Sequence, residues 1–175
     1  MRRFVPIFVL LLVVLFAIEL AAPVQRAVVT PWTEGLASLS ARVVLFLDGN
    51  VRATGRVLQS TTNGFAVSIE AGCNGIEAAL ILVSAMLAFP ATWRQRAAGI
   101  AVGLVTVQLL NVVRVVTLFY IGQWSRNAFE WAHLYVWQAL IMLDVLVVWL
   151  VWLRWLSAGA TAAPARPGQD ATAQR

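Results

Sequence analysis

Three residues of the sequence have side chains that together could carry out thiol chemistry: Cys73, Arg114 and His133. The chain contains one cysteine and one histidine, so each of these two residue types is present at a single position. A thiol needs a base to become a good nucleophile, and an acyl intermediate needs a cation or hydrogen-bond donors for its oxyanion. The three residue types therefore match a site that transfers acyl groups through a thiol.

Cys73 lies between Gly72 and Gly75, where a predicted strand ends and an apolar helix begins. The positive end of a helix dipole lowers the pKa of a nearby thiol, so the sequence predicts a lowered pKa for Cys73. The flanking glycines let a substrate backbone approach closely. The alternative is a small buried thiol that packs between helices, which is the usual place of a free cysteine.

Arg114 lies inside an apolar run, with valines on both sides. A cation within a membrane helix costs about 2.5–3.5 kcal/mol on insertion scales, so such a residue normally pairs or serves a function. The alternative is a guanidinium that extends to the nearby lipid headgroups. Asn111 precedes Arg114 by three residues and therefore lies on the same helical face.

His133 begins the last apolar run of the chain. An imidazole with an ordinary pKa of about 6.5 suits proton transfer at neutral pH. The alternative is an interfacial histidine without a role. Glu130 could orient the imidazole if the helix begins early. Glu77, one helical turn after Cys73, would raise the pKa of the thiol or pair with Arg114.

The composition is that of a membrane protein. Of the 175 residues, 61% are hydrophobic and 12% are charged, whereas about 25% are charged in ordinary soluble domains. The mean hydropathy of +0.80 excludes a soluble globule and a disordered chain. The 13 basic residues are all arginine and are scattered, so they form no patch for nucleic acid. One cysteine and one histidine exclude an internal disulfide and argue against a zinc site.

Four apolar runs are long enough, or nearly so, to cross a bilayer. They are residues 4–22, 76–91, 97–121 and 134–155. A bilayer core about 30 Å thick requires about 20 helical residues. The sequence therefore predicts an all-α membrane protein with about four transmembrane helices. A cleaved signal peptide is the alternative for the first run, although Pro23 directly follows its small residues.

Two smaller elements are predicted between the first and second spans. Residues Trp32–Leu47 predict an amphipathic helix along the membrane surface, because apolar residues recur at intervals of three and four. Its apolar residues are Leu36, Leu39, Val43, Phe46 and Leu47. Residues Arg52–Ile69 predict a small β-hairpin with a turn at Asn63-Gly64. We expect both elements to lie outside the cytoplasm.

The arginines of the short loops lie at alternate ends of the predicted spans. They are Arg2, Arg3, Arg94, Arg96, Arg154 and Arg166. The positive-inside rule places these ends, and hence both termini and the 91–96 loop, in the cytoplasm. Cys73, Arg114 and His133 then all lie near the outer ends of the second, third and fourth spans. Three reactive residue types, far apart in sequence, are thus predicted to meet on one membrane face.

The predicted spans form one membrane domain over residues 1–156. A disordered cytoplasmic tail over residues 157–175 follows, since this segment is rich in alanine, proline, glycine and glutamine. Asp144 lies near the middle of the last span, where a carboxylate is costly. We expect it to form a hydrogen bond with Gln108 or Asn111 between helices rather than to take part in chemistry.

The chemically capable residues stand in an ordered set of short motifs. These are Ala71-Gly72-Cys73-Asn74-Gly75-Ile76-Glu77, Asn111-Val112-Val113-Arg114 and Ala132-His133-Leu134. Their order, spacing and predicted sidedness resemble the exosortase/archaeosortase family. That family has a Cys-x-Gly element at the start of one span, an Asn-x-x-Arg element inside a later span and a histidine at the start of the next. The short, core-only chain is most similar to the exosortase H branch.

The resemblance implies a membrane-embedded cysteine peptidase or transpeptidase of the bacterial inner membrane, with its active site facing the periplasm. It implies that Cys73 attacks the scissile carbonyl, that Arg114 stabilises the thiolate or oxyanion, and that His133 moves the proton. The implied substrates are secreted proteins that end in a recognition motif, a transmembrane helix and a basic cluster. Neither a metal nor another cofactor is implied. The residues expected to support the site are Asn74, Gly75, Glu77 and Asn111.

Two other classes of function are compatible with the residues alone. One is a non-catalytic membrane assembly factor, whose amphipathic helix and hairpin bind a partner. The other is a small transporter that uses Arg114 and Asp144 along a polar path, although four spans without paired broken helices argue against it.

Overall fold

The computed structural model describes residues 3–161, which form seven helices, two π turns and a three-stranded sheet. The helices are α1 (Phe4–Glu19), α2 (Ala22–Val24), α3 (Thr30–Leu47), α4 (Ile76–Ala88), α5 (Trp93–Trp124), α6 (Arg126–Trp131) and α7 (Trp137–Thr161). The π turns are Gln25–Val29 and Ala132–Val136. The strands are β1 (Val51–Thr54), β2 (Val57–Ser60) and β3 (Ala66–Ser68).

The described residues contain two helical stretches that are long and apolar enough to cross a membrane, Trp93–Trp124 and Arg126–Ala158. α1 forms a third candidate only together with the segment Ala22–Leu47, from which a bend of 66° separates it. α4 has 13 residues and is therefore about 20 Å long, which is short of a bilayer core. The chain is thus a mostly helical, multi-pass membrane protein. The structure supports two to three spans where the sequence predicts about four.

The bend after α1 has a local cause. Ala21 is extended, and Pro23 stands in the first turn of α2, where proline can begin a helix but cannot continue one. Glu19 is buried at the bend and accepts a hydrogen bond from Gln25 Nε2 at 2.7 Å. The predicted first span, residues 4–22, is therefore a helix of 16 residues followed by a turn.

The sheet between α3 and α4 is antiparallel, in the order β1-β2-β3. The sequence predicts only a two-stranded hairpin here, with its turn at Asn63-Gly64. It does not predict β1 as a separate strand. Gly64 has a φ of 74°, and Asn63 Oδ1 accepts a hydrogen bond from the Phe65 amide at 3.0 Å. A second turn at Gly55, with a φ of 55°, joins β1 to β2. The short runs around that turn alternate too weakly to predict a strand from the sequence.

α3 packs on α5 through a face of small and medium side chains. Ala37, Ala41 and Val44 are buried against Val115 and Phe119 of α5. Of the five apolar residues that predict an amphipathic helix, Leu36 is buried in this contact and the other four are exposed. The exposed residues are Leu39, Val43, Phe46 and Leu47. This outward apolar face suits contact with lipid.

α4, α5 and α7 pack around one apolar core. Leu82 and Met86 from α4, Val107 from α5 and Trp152 from α7 are buried in it. Gly103 lets α4 approach α5, because a Cβ at this position would lie 2.6 Å from Leu82 Cδ2. This core holds the beginning of α4 beside the middle of α5.

α7 extends beyond the predicted domain boundary at residue 156. α7 continues to Thr161, so residues 157–161 of the predicted tail are helical. Residues 162–175, which make up the remainder of that predicted tail, lie outside the described residues. The same is true of Arg2 and Arg166, two of the arginines on which the predicted topology depends.

Candidate active site

The loop between β3 and α4 carries Cys73 and is shaped by two glycines. Gly72 and Gly75 have φ angles of 81° and 76°, a region that other residues rarely adopt. The Cys73 amide donates to the Glu70 carbonyl at 3.0 Å, which closes a turn. The Gly72 amide donates to Glu77 Oε1 at 2.6 Å. Glu77 therefore fixes the loop from the first turn of α4, and its predicted ion pair with Arg114 is not formed.

Asn74 attaches the same loop to α3. Its Nδ2 donates to Thr33 Oγ1 at 3.1 Å, and its Oδ1 accepts from the Ile76 amide at 3.1 Å. The indole of Trp32 donates to the Asn74 carbonyl at 3.3 Å. Asn74 is fully buried, and its contacts with α3 and α4 hold the loop in place.

Three polar residues of α5 face the loop, at intervals of three residues. Gln108 Nε2 donates to the Gly75 carbonyl at 3.3 Å, and Arg114 Nη1 donates to the Gly72 carbonyl at 3.4 Å. Asn111 lies between them and is 1% exposed, yet both of its amide atoms lack a partner among the described residues. A Cβ at Gly75 would lie 2.9 Å from Gln108 Nε2 and 3.1 Å from Asn111 Nδ2. The absence of a side chain at Gly75 thus lets α4 begin directly against α5.

The structure brings Cys73, Arg114 and His133 together from three separate parts of the chain. Arg114 Nη2 lies 3.5 Å from Cys73 Sγ, and His133 Nε2 lies 3.9 Å from the same sulfur. Arg114 is 2% exposed, whereas Cys73 and His133 are partly exposed. The thiol therefore lies between a buried guanidinium and an imidazole, and a reagent or substrate can reach it.

The electrostatic surroundings of Cys73 differ from the sequence prediction. Burial is the largest effect and raises the pKa of the thiol, and Glu77 and Glu70 raise it further, while the Arg114 guanidinium opposes them. The predicted lowering by the helix dipole is therefore wrong. Cys73 precedes the first residue of α4 by three positions, and a dipole acts strongly only within the first turn. Burial thus favours the neutral thiol, which would need a base to act as a nucleophile.

His133 lies in the π turn Ala132–Val136, and its ring is bounded by an aromatic side chain. The rings of Phe129 and His133 are nearly parallel, with an interplanar angle of 3° and centroids 5.6 Å apart. Glu130, which the sequence offers as a partner for the imidazole, instead pairs with Arg126 at 3.3 Å. Nδ1 of His133 is buried and has no hydrogen-bond partner in residues 3–161.

Asp144 lies away from this site. It lines a cavity between α5 and α7, together with Thr106 and Leu110. Its predicted hydrogen bond is not formed, because Gln108 binds the Gly75 carbonyl and Asn111 has no partner. In the part of the chain that the structure describes, no cluster of three or more histidine, cysteine or carboxylate side chains could hold a metal ion.

The family profile of transmembrane exosortases matches residues 1–150 of the chain. The chain belongs to the exosortase family. The family prediction from the sequence motifs is thus confirmed. Searches of curated proteins and of solved structures gave no match. The motifs that carry the resemblance are the same segments that meet around Cys73 in this exosortase.

Sequence reasoning missed several residues that shape the site of this exosortase. Trp32 and Thr33 attach the Cys73 loop to α3, and nothing in their local sequence indicates a contact some forty residues away. Phe129 stacks on His133. Its position four residues before the histidine is a detectable signal, because such residues meet on one helical face.

Proposed function

We propose that this exosortase is a membrane-embedded cysteine peptidase or transpeptidase, which cleaves C-terminal sorting signals of secreted proteins. The proposal rests on one observation above all: Cys73 Sγ lies 3.5 Å from the Arg114 guanidinium and 3.9 Å from the His133 imidazole. A nucleophile beside a base and a cation is the arrangement that acyl transfer requires. A buried thiol without function would not need either neighbour.

In the proposed first half-reaction, His133 Nε2 takes the proton from the thiol while the sulfur bonds to the scissile carbonyl carbon. The electron pair of the C=O bond moves to oxygen and forms a tetrahedral oxyanion. When this intermediate collapses, the C–N bond breaks and the imidazolium gives its proton to the leaving amine. The product is an acyl thioester on Cys73.

In the second half-reaction, water or an acceptor amine attacks the thioester and gives its proton to His133. The C–S bond breaks, and the imidazolium returns the proton to the sulfur. Arg114 stabilises the negative charge on sulfur and on the oxyanion, because its guanidinium already lies within contact distance of the thiol. The contact of Arg114 Nη1 with the Gly72 carbonyl at 3.4 Å would keep that guanidinium in place between turnovers.

The proposed substrates are secreted proteins whose C terminus carries a recognition motif, a transmembrane helix and a basic cluster. An apolar cavity of about 700 Å³ between α1, α3, α4 and α5 supports this class. Trp32, Ile76 and Gln108 are among its lining residues, and each is in contact with the Cys73 loop or directly follows it. An apolar helix beside these elements would present its outer end to the thiol.

The proposed location is the bacterial inner membrane, with both termini in the cytoplasm and Cys73 facing the periplasm. Arg94 and Arg96 lie at the beginning of α5. Arg114, which contacts the Cys73 loop, lies more than ten residues further along the same helix. Short arginine-containing loops stay on the cytoplasmic side. The site would then meet its substrate after the substrate has been secreted.

Replacement of Cys73 with alanine tests the proposal. We expect a secreted protein with such a three-part tail to accumulate uncleaved, with the variant still present in the membrane at the wild-type level. Ser84→Ala is a matched control, since its hydroxyl is buried in α4 and bonds only to Leu80 of its own helix. Normal cleavage by the Cys73→Ala variant would refute the peptidase and favour an assembly factor or transporter.

A further inference from the structure

The imidazole of His133 is oriented by packing and not by a hydrogen bond to its second nitrogen. Histidine bases are usually oriented by a group that accepts a hydrogen bond from the other ring nitrogen. Here Nδ1 is buried without a partner in the described part of the chain, and Glu130 is paired with Arg126 instead. Another restraint must therefore keep Nε2 directed at Cys73 Sγ.

Phe129 supplies a flat surface against which the imidazole lies. It precedes His133 by four residues, so the two side chains meet on one helical face. Their rings are 3° from parallel, and the ring centroids are 5.6 Å apart. This contact restricts the plane of the imidazole, and the Nε2–Sγ contact of 3.9 Å then favours one of its two flips.

Phe65, from the loop before β3, also packs on the Phe129 ring. Its ring meets the Phe129 ring edge-on, with centroids 6.1 Å apart and an interplanar angle of 74°. Phe65 can lie there because α5 has a glycine beneath it: a Cβ at Gly122 would collide with the Phe65 ring. Phe65 also packs on Phe119 of α5, at 6.3 Å. The support of the imidazole is therefore fixed to the core.

We propose that Phe129, supported by Phe65, is a positioning residue that holds the His133 imidazole in the plane where Nε2 faces Cys73 Sγ. This inference rests on the proposed function, because it assigns a purpose to His133 in the same site. It predicts that loss of the flat Phe129 ring weakens the coupling between the imidazole and the thiol and leaves the fold intact. A merely structural role for Phe129 predicts no such specific loss.

The single cysteine of the chain provides a direct measurement. Alkylation of the purified, detergent-solubilised protein by iodoacetamide forms a C–S bond to Cys73 and releases iodide, and its rate follows the thiolate fraction. The rate is measured from pH 6 to pH 10 for the wild type, His133→Ala, Phe129→Leu and the double variant. No substrate is needed, so the result does not depend on knowing the sorting signal.

We expect Phe129→Leu to lower the alkylation rate at pH 7 about fivefold, towards the rate of His133→Ala, because a thiol without its base holds less thiolate. The double variant should react no more slowly than His133→Ala, since Phe129 acts through the imidazole. Phe129→Tyr keeps a flat ring and should restore most of the rate. Phe4→Leu is the control, because Phe4 is in a similar parallel stack with Phe8, remote from Cys73.

An unchanged pH profile of alkylation for Phe129→Leu would overturn the inference. So would a double variant whose alkylation rate falls by the product of the two single losses. If Phe129→Leu does not fold, Phe65→Leu removes the support and keeps Phe129, and it should give a smaller loss of the same kind. Wild-type behaviour of Phe65→Leu in that case also overturns the inference. Cleavage assays separate the two proposals: active Cys73→Ala refutes the peptidase, whereas the alkylation profiles alone decide the role of Phe129.

Discussion

Replacement of Arg114 with lysine separates the geometry of the guanidinium from its charge. Arg114 donates through Nη1 to the Gly72 carbonyl at 3.4 Å and through Nη2 to Cys73 Sγ at 3.5 Å. Lysine keeps the positive charge but has one ammonium group in place of the planar fork, so it cannot make both contacts in this geometry. We therefore expect Arg114→Lys to insert normally and to lose most of its cleavage activity.

The size of the loss follows from the two contacts. Removal of one preorganised donor to an oxyanion costs about 2.7–4 kcal/mol, which corresponds to about 10²–10³ in kcat. Both donors of Arg114 are buried with the side chain at 2% exposure, so water does not replace them. We expect kcat to fall by about 10²–10³ with little change in KM, because the oxyanion forms only during the reaction.

Cleavage of a purified tail-bearing substrate in detergent or in vesicles gives kcat and KM for this comparison. Arg96→Lys is the matched control, since Arg96 lies on the same helix and donates to the Phe89 carbonyl at 2.9 Å, away from the thiol. A kcat for Arg114→Lys within a few-fold of the wild type would refute the assigned role of the guanidinium. Equal losses in both variants would point to destabilisation of α5.

Three further outcomes are expected. Because burial raises the pKa of the Cys73 thiol, its alkylation should accelerate as the pH rises past the ordinary thiol range, and a rate that is already maximal at pH 7 would contradict this. Gly75→Ala should cost about 1–3 kcal/mol of stability in a thermal unfolding assay, because its φ is 76° and a Cβ would press on Gln108. Gly35→Ala is the control and should not destabilise the protein, because Gly35 lies inside α3 and a Cβ there meets nothing within 4 Å. A membrane-impermeant maleimide should label Cys73 in cells with a permeabilised outer membrane and an intact inner membrane, and labelling only after the inner membrane is opened would reverse the proposed orientation.

The residue types around the thiol could be predicted from the sequence because each of them is unusual in its position. Cys73 is flanked by glycines, Arg114 interrupts a run of valines, and His133 is the only histidine. Such residues are costly or rare within apolar segments, so their presence is informative without any knowledge of contacts. Their arrangement in one place depends on how α4, α5 and α7 pack, which the sequence order constrains but does not determine.

The partners of these residues could not be predicted, because they depend on distances across the fold. Asn74 binds Thr33 on α3, and Glu77 binds the Gly72 amide, a backbone group that any residue supplies. The sign of the pKa shift of Cys73 also depends on burial, which outweighs the nearby Arg114 cation. A polar side chain in an apolar run does not identify a partner, and Asn111 has no partner among the described residues.

The packing direction of α3 illustrates a related difficulty. In a soluble protein, the apolar stripe of an amphipathic helix faces the core. In α3 the buried face includes the small residues Ala37, Ser40 and Ala41, whereas the larger residues Leu39 and Phe46 face outward. Small residues let helices approach closely in a membrane, where lipid accepts the larger apolar side chains.

The spacing of Gln108, Asn111 and Arg114 makes the site sensitive to the register of one helix. Consecutive residues of an α-helix are about 100° apart around its axis, so one inserted residue between Gln108 and Arg114 would turn the guanidinium to another side. One of the two carbonyl contacts, at Gly72 or at Gly75, would then be lost. Changes in length should therefore be far better tolerated between α4 and α5, at residues 89–92, than within this seven-residue stretch. In this exosortase, the side chains of α5 thus determine where the Cys73 loop lies along the helix.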